Sequence, residues 1–327
     1  MMTSRNMTIA FFVLLVGAAL SPMVVGKAAF PQWLEVVLGG LMSGVLYSLV
    51  ALGLVLIFKA SGVFNFAQGS MVLFAALSLV RLMEMMPLVA ALAVTVAIMV
   101  VLALLVERLV LRPLVNQEGI VLFMATLGIA YILDGFGQIL WGSDIYTLHV
   151  GMPKEPKILL ENVFEGGILV SMEDVIAALL SALMVVALWL FFQKTGTGRA
   201  LRAVADDHQA AQSIGIPLNR IWVIVWTVAG LVALVAGVIW GSKLGVQFSL
   251  QLIALKALPV VILGGFTSIP GAIIGGLIIG VGEKVSEVYL GPMLGGGIEN
   301  WFAYALALVF LLFRPEGLFG EIRIDRV

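Results

Sequence analysis

Continuous apolar runs joined by short polar links dominate the chain from residue 8 to residue 313. They occupy 8–25, 34–58, 63–82, 87–106 and 119–141, then 174–193, 220–241, 252–265, 271–290 and 299–313. An apolar run of about 20 residues crosses the hydrocarbon core of a bilayer as a helix, because a helix satisfies its own backbone hydrogen bonds there. The runs are continuous rather than alternating, which excludes the strands of a membrane barrel. The pattern therefore predicts an all-α, polytopic membrane helix bundle of about ten segments. The run 252–265 is short for a full crossing and reads as a re-entrant or broken helix.

Positive residues in short loops mark the cytoplasmic side of a membrane protein. They cluster at Arg108 and Arg112, at Lys194, Arg199 and Arg202, and at Arg314, Arg323 and Arg326. Ten crossings put these clusters and both termini on one face, as expected for a multi-pass protein of the bacterial inner membrane. The loop 142–173 falls opposite, with Glu155, Glu161, Glu165 and Glu173 beside Lys154 and Lys157. The chain divides at these features. It has an N-terminal membrane segment or signal-like extension (1–30) and a first part of the bundle that includes the periplasmic loop (31–193). A cytoplasmic loop (194–219) and a C-terminal part of the bundle (220–327) follow. The apolar stretch 7–25 is longer than the 7–15 residues usual for a signal h-region, which favours a retained helix.

Composition sharpens the class. Hydrophobic residues make up 62% and charged residues 11%, against roughly a quarter charged in a soluble domain. A net charge of -1 gives no basic face for nucleic acid. Without cysteine there is no disulfide, thiolate nucleophile or cysteine metal site. No Gly-x-x-x-x-Gly-Lys-Ser/Thr loop occurs, so the chain cannot itself cradle nucleotide phosphates. His149 and His208 both lie in loops, leaving no imidazole base inside a span, and no His-Glu-x-x-His zinc pattern occurs.

Two features stand out inside the runs. Glycines crowd 39–53 and 264–282. Small residues let helix backbones approach in lipid, and glycine–proline breaks can instead expose backbone dipoles to a substrate. Gly264 and Gly265, ahead of Pro270 and Gly271, mark such a break; its counterpart is the stretch from Ser61 to Gly69. With one interruption in each half, the broken helices suggest two five-segment repeats. Polar residues in spans are the second feature: Asn65, Gln68, Asp134, Lys256, Glu283 and Lys284. Such residues point either to a pathway or to interhelical hydrogen bonds and snorkelling. Asp134 and Lys284 read as span-end residues. Asn65, Gln68, Lys256, Gly264 and Gly265 are the pathway candidates.

The loop 194–219 predicts a short amphipathic helix over 200–214, closed by Gly215 and Pro217. Its small residues Ala210 and Ala211 suit a seat in a partner's groove, with Arg199, Arg202, Asp206 and Asp207 setting register. A solvated connector is the plain alternative.

These residues together resemble one family, the integral-membrane permeases of branched-chain amino acid ABC importers. The resemblance rests on the stretch from Gly44 to Gly53, on Asn65-Phe66-Ala67-Gln68-Gly69 and on Glu107-Arg108. It continues through Arg112-Pro113-Leu114, Gly198-Arg199-Ala200-Leu201-Arg202-Ala203, Leu255-Lys256-Ala257 and Gly264-Gly265. Ile269-Pro270-Gly271-Ala272, Gly275-Gly276 and the stretch from Arg314 to Gly320 complete it. Ala210-Ala211 with Gly215 is similar to the coupling motif of such permeases, with Gln209 where a glutamate is usual. The family usually has histidine where Gln68 stands, and many members begin near the second segment.

The resemblance implies a transport subunit rather than an enzyme, with no cofactor in this chain and ATP bound on partner subunits. The implied partners are a second permease subunit (a paralogue or a second copy), two ATP-binding subunits and a periplasmic substrate-binding protein. Arg199, Arg202, Asp206, Gln209, Ala210, Ala211 and Gly215 would then form the ATPase-coupling loop. The implied substrates are branched-chain or related small amino acids, with urea, amides and aromatic acids also open. A secondary transporter of small organic solutes is the rival class, and it would need several intramembrane carboxylates.

Overall fold

The computed structural model describes residues 4–24, 29–114, 117–164, 166–206 and 208–320. Each apolar run forms a helix. These are α1 (Ser4–Val24), α2 (Phe30–Ser61), α3 (Gln68–Met83), α4 (Leu88–Val106), α5 (Gly119–Trp141) and α6 (Met172–Lys194). After α7 (Gly196–Asp206) and α8 (His208–Ser213) in the loop come α9 (Leu218–Leu244), α10 (Ile253–Gly264), α11 (Ile269–Leu294) and α12 (Phe302–Phe313). Among the described residues, α2, α4 with its π-helical extension to Leu111, α5, α6, α9 and α11 are long and apolar enough to cross a membrane. The protein is thus an all-α, polytopic membrane protein. Helices α3, α10 and α12 are shorter, at 16, 12 and 12 residues. Residues 62–67 shorten α3 from its front, and 3₁₀ turns at Phe248–Leu252 and Ile298–Asn300 precede α10 and α12.

The loop 142–173 contains structure that its sequence did not announce. Strands β1 (Pro156–Leu159) and β2 (Ile168–Ser171) pair antiparallel, Pro156 opposite Ser171. The Leu169 amide donates to Glu35 Oε2 at 3.2 Å, tying the hairpin to the start of α2.

The chain folds as two compact units that interleave in sequence: Met1–Ala51 with Met152–Ala182 and Lys256–Val327, and Leu52–Gly151 with Leu183–Leu255. Three of the four unit boundaries fall inside α2, α6 and α10, and the fourth lies in the loop after Gly151.

In the second unit α3 is the centre. Every residue from Gln68 to Val80 is buried, and α4, α5 and α9 surround it. Lipid tails are as apolar as leucine, so such packing is held by van der Waals fit rather than by escape from water. The fit is close where α9 meets α3: a Cβ on Gly237 would come 2.8 Å from the Val72 carbonyl oxygen.

In the first unit the corresponding seam joins α2 to α11. Cβ atoms on Gly40 and Gly44 would lie 2.7 Å from Val281 Cα and from the Gly276 carbonyl oxygen. Ser48 Oγ donates across the seam to the Ile273 carbonyl at 3.0 Å. Helix α11 starts cleanly because Ser268 Oγ accepts from the Gly271 amide at 3.1 Å and Pro270 occupies its first turn. Helix α1 packs in this unit too. Phe11 meets the Phe310 ring edge-on at 4.8 Å, and Trp33 Nε1 donates to the Ala19 carbonyl at 2.7 Å.

Candidate functional site

The first interruption, residues 62–67, is built around Asn65 and Gln68, both fully buried. Asn65 Oδ1 accepts from the Ala67 amide at 3.0 Å, which turns the chain into α3. Asn65 Nδ2 faces Gln68 Oε1 at 3.4 Å, and Gln68 Nε2 donates to the Ala229 carbonyl of α9 at 3.3 Å. Gly53 leaves the space that the Gln68 amide fills, since a Cβ there would lie 2.8 Å from Nε2. The two amides therefore have partners within their own unit.

Next to this break, Asp134 lies about two turns before the end of α5 at Trp141. It is hydrogen-bonded to Ser70. With the Gln251 amide turned so that its nitrogen faces the carboxylate, that nitrogen lies 2.6 and 3.2 Å from the two Asp134 oxygens.

The second interruption, residues 265–268, is equally well closed. Leu318 and Phe319 donate their amides to the Leu263 and Gly264 carbonyls at 2.8 and 3.1 Å, so the stretch after α12 caps the end of α10. A Cβ on Gly264 would lie 2.3 Å from the Gly271 carbonyl group, and one on Gly265 would lie 2.8 Å from the Gly320 nitrogen. Both glycines face backbone of their own unit.

Lys256 is different. It lies in the first turns of α10 with its side chain 37% exposed, and its Nζ is 3.3 Å from Oε1 of Glu283, whose side chain is 4% exposed. The Tyr47 hydroxyl, from α2, also hydrogen-bonds Glu283. Glu283 sits near the midpoint of the 26-residue helix α11. Lys284, beside it in α11, pairs with Glu299 at 3.6 Å. Sequence reading had selected Lys256 for the pathway but neither its partner Glu283 nor Tyr47. Tyr47 was legible only as part of the glycine-rich stretch from Gly44 to Gly53.

The loop between α6 and α9 is an elbow. Thr195 Oγ1 accepts from the Gly198 amide at 3.1 Å and starts α7 as an N-cap. Arg202 Nη1 donates to the Phe192 carbonyl at 2.6 Å, placing a cation on the open end of α6. A Cβ on Gly198 would come 2.0 Å from that same carbonyl oxygen. Gly215, two residues past the end of α8, has a φ of +86° and makes a left-handed cap; the Ile216 amide closes it on the Ala211 carbonyl at 3.0 Å.

Inward, Leu201, Val204 and Ala211 are buried; outward, Ala210, Ser213 and Ile214 are exposed, Ile214 by 76%. Arg199 is exposed as well. Asp207 and the side chains of Asp206 and Gln209 lie outside the described residues. Among those described, no cluster of His, Cys, Asp or Glu has the makings of a metal site.

The family model for the permease component of branched-chain amino acid transport systems matches residues 36–314. The chain belongs to that family. A probable branched-chain amino acid transport permease protein, LivH of Methanocaldococcus jannaschii, is 32% identical over 86% of this chain and 91% of its own length. The high-affinity branched-chain amino acid transport system permease protein BraD of Pseudomonas aeruginosa is 27% identical over 90% of this permease and 98% of its own length. LivH of Escherichia coli is 28% identical over 91% and 99%. Among solved structures, PsaBC from Streptococcus pneumoniae in complex with Fab aligns at TM-score 0.43 and 15% identity, covering 84% of this chain and 90% of that one. Membership makes the chain a transport subunit and not an enzyme.

Proposed function

We propose that this permease forms half of the membrane path of an ATP-driven importer for branched-chain or related small amino acids. In this reading a periplasmic binding protein delivers the substrate, a second permease chain completes the path, and two ATP-binding subunits dock on the cytoplasmic loop. The observation that carries it is the elbow at residues 194–219, held by Thr195 and Arg202, which presents a small exposed face on a bundle of this family. A flexible connector would need neither the cap nor the cation on α6.

The site assignments follow from the same reading. Arg199, Ala210, Ser213 and Ile214 form the docking face. Arg202, Ala211 and Gly215 hold its shape, and Asp206 and Gln209 flank it. Asn65, Gln68, Gly264 and Gly265 serve the path by fixing the two helix interruptions, while Lys256 faces it directly. Helix α1 together with α3, α10 and α12 brings the six long spans to ten membrane segments. That count puts Arg112, Lys194, Arg199 and Arg314 on the cytoplasmic side of a bacterial inner membrane, with both termini.

Reconstitution tests the reading. Proteoliposomes holding this chain, the second permease and the ATPase subunits should accumulate labelled leucine only with ATP inside and binding protein outside. Competition by unlabelled isoleucine, urea, acetamide and phenylalanine ranks the substrates. Uptake driven by an ion gradient without ATP overturns it.

A further inference from the structure

A transport path for a neutral, apolar amino acid still has to handle two full charges, the ammonium and the carboxylate, in a medium of low dielectric. Unpaired, each charge would be costly there. Lys256 and Glu283 form an ion pair that joins α10 to α11, and its construction is asymmetric. Glu283 is buried near the middle of α11 and held from one side by the Tyr47 hydroxyl. Lys256 covers it through a single contact at 3.3 Å and keeps its side chain 37% exposed. A side chain built only to neutralise Glu283 would gain from burial and from a second contact. A charged side chain within a bilayer segment almost always faces the bundle interior or a water-filled cavity.

We infer that Lys256, Glu283 and Tyr47 form a charge-exchange site for the zwitterionic head of the substrate. The substrate carboxylate takes Lys256, its ammonium takes Glu283, and Tyr47 keeps the Glu283 carboxylate in place. One ion pair inside the protein and one inside the solute become two between them, so no charge is left unpaired at any stage. A solute with only one of the two charges, an amine or a keto acid, would leave Lys256 or Glu283 without a partner. It would be rejected for that reason. The site would thus act on the α-amino acid head, while the binding protein selects the side chain. This rests on the importer reading above, and it names the substrate chemistry at one position of that path.

The test uses the complete reconstituted complex with two variants. Lys256→Met combined with Glu283→Gln removes both charges, and replacing a buried ion pair by neutral groups of similar volume often leaves a protein as stable as before. It should assemble with the ATPase subunits, yet leucine uptake should fall about tenfold or more, as loss of charge-assisted hydrogen bonds requires. Lys256→Arg keeps the pair but lets a planar guanidinium hold Glu283 through two hydrogen bonds, which a substrate ammonium displaces less readily. Uptake should then fall by about fivefold or more with assembly intact. A purely structural pair predicts wild-type uptake in Lys256→Arg. Uptake within about twofold of wild type in either assembled variant, a change too small for a lost charged hydrogen bond, overturns the proposal. If the double variant fails to assemble, Lys256→Arg alone decides. Failure of the unaltered complex to take up any branched-chain amino acid counts instead against the importer reading.

Discussion

Gly276 shows how little tolerance a membrane seam has at the scale of one residue. A Cβ there would lie 2.1 Å from Ser48 Oγ and 2.7 Å from the Gly44 carbonyl oxygen. The first obstacle is a side chain and can be removed; the second is backbone and cannot. Gly276→Ala should therefore lower stability by about 1–3 kcal/mol, as overpacking does, and Ser48→Ala should not rescue it. Thermal unfolding of the purified permease in detergent checks this, and a full rescue by Ser48→Ala would mean that the α2–α11 seam can open. Gln68 offers a polar case. Gln68→Leu removes the hydrogen bonds to Asn65 and Ala229 from a site with no solvent, so about 1–3 kcal/mol of stability should be lost with Asn65 left short of a partner. The same thermal assay reads it.

The elbow at residues 194–219 is the element whose two faces do different work. Ala211 is turned inward at 2% exposure, and Ile214, three residues on, is 76% exposed. Ala211→Leu should therefore disturb the permease itself, lowering its thermal stability by about 1–3 kcal/mol whether or not the ATPase is present. Ile214→Asp should leave that stability unchanged and cut co-purification of the ATPase subunits, together with uptake. Measured side by side, the two substitutions separate the inner from the outer face. If Ile214→Asp leaves ATPase association intact, the docking face lies elsewhere on the loop.

For the whole molecule the commitments are topological. The chain has no cysteine, so single cysteines report position without a background. Glu161→Cys, on the exposed segment between β1 and β2, should react with an impermeant thiol reagent from the periplasmic side. Ser213→Cys, exposed on α8, should react only once the membrane is opened. The opposite pattern would invert the orientation that the positive residues give. Purified alone, the permease should neither bind nor hydrolyse ATP, since it carries no phosphate-cradling loop.

Sequence by itself determined that the apolar runs are helices, the membrane class and the family. Apolar runs of spanning length admit one backbone solution in lipid, and α5 from Gly119 to Trp141 was legible to the residue. The C-terminal end of the loop helix was legible as well, because Gly215 caps it locally; its start at Gly196, ahead of the expected 200, was not. Partners were not. Periodicity reveals an inner face only where the outer one is wet; a helix apolar all round has no readable inside. So the inward turn of Ala211, the closing of both glycine breaks by backbone of their own unit, and the meeting of Tyr47, Lys256 and Glu283 from three helices were decided by tertiary packing. The hairpin from Pro156 to Ser171 was missed because its strands are four residues long and β1 is exposed along its length, so no alternation marks it. Contacts made over more than a hundred residues leave no local pattern, because the free energy that selects them exists only once the helices have met.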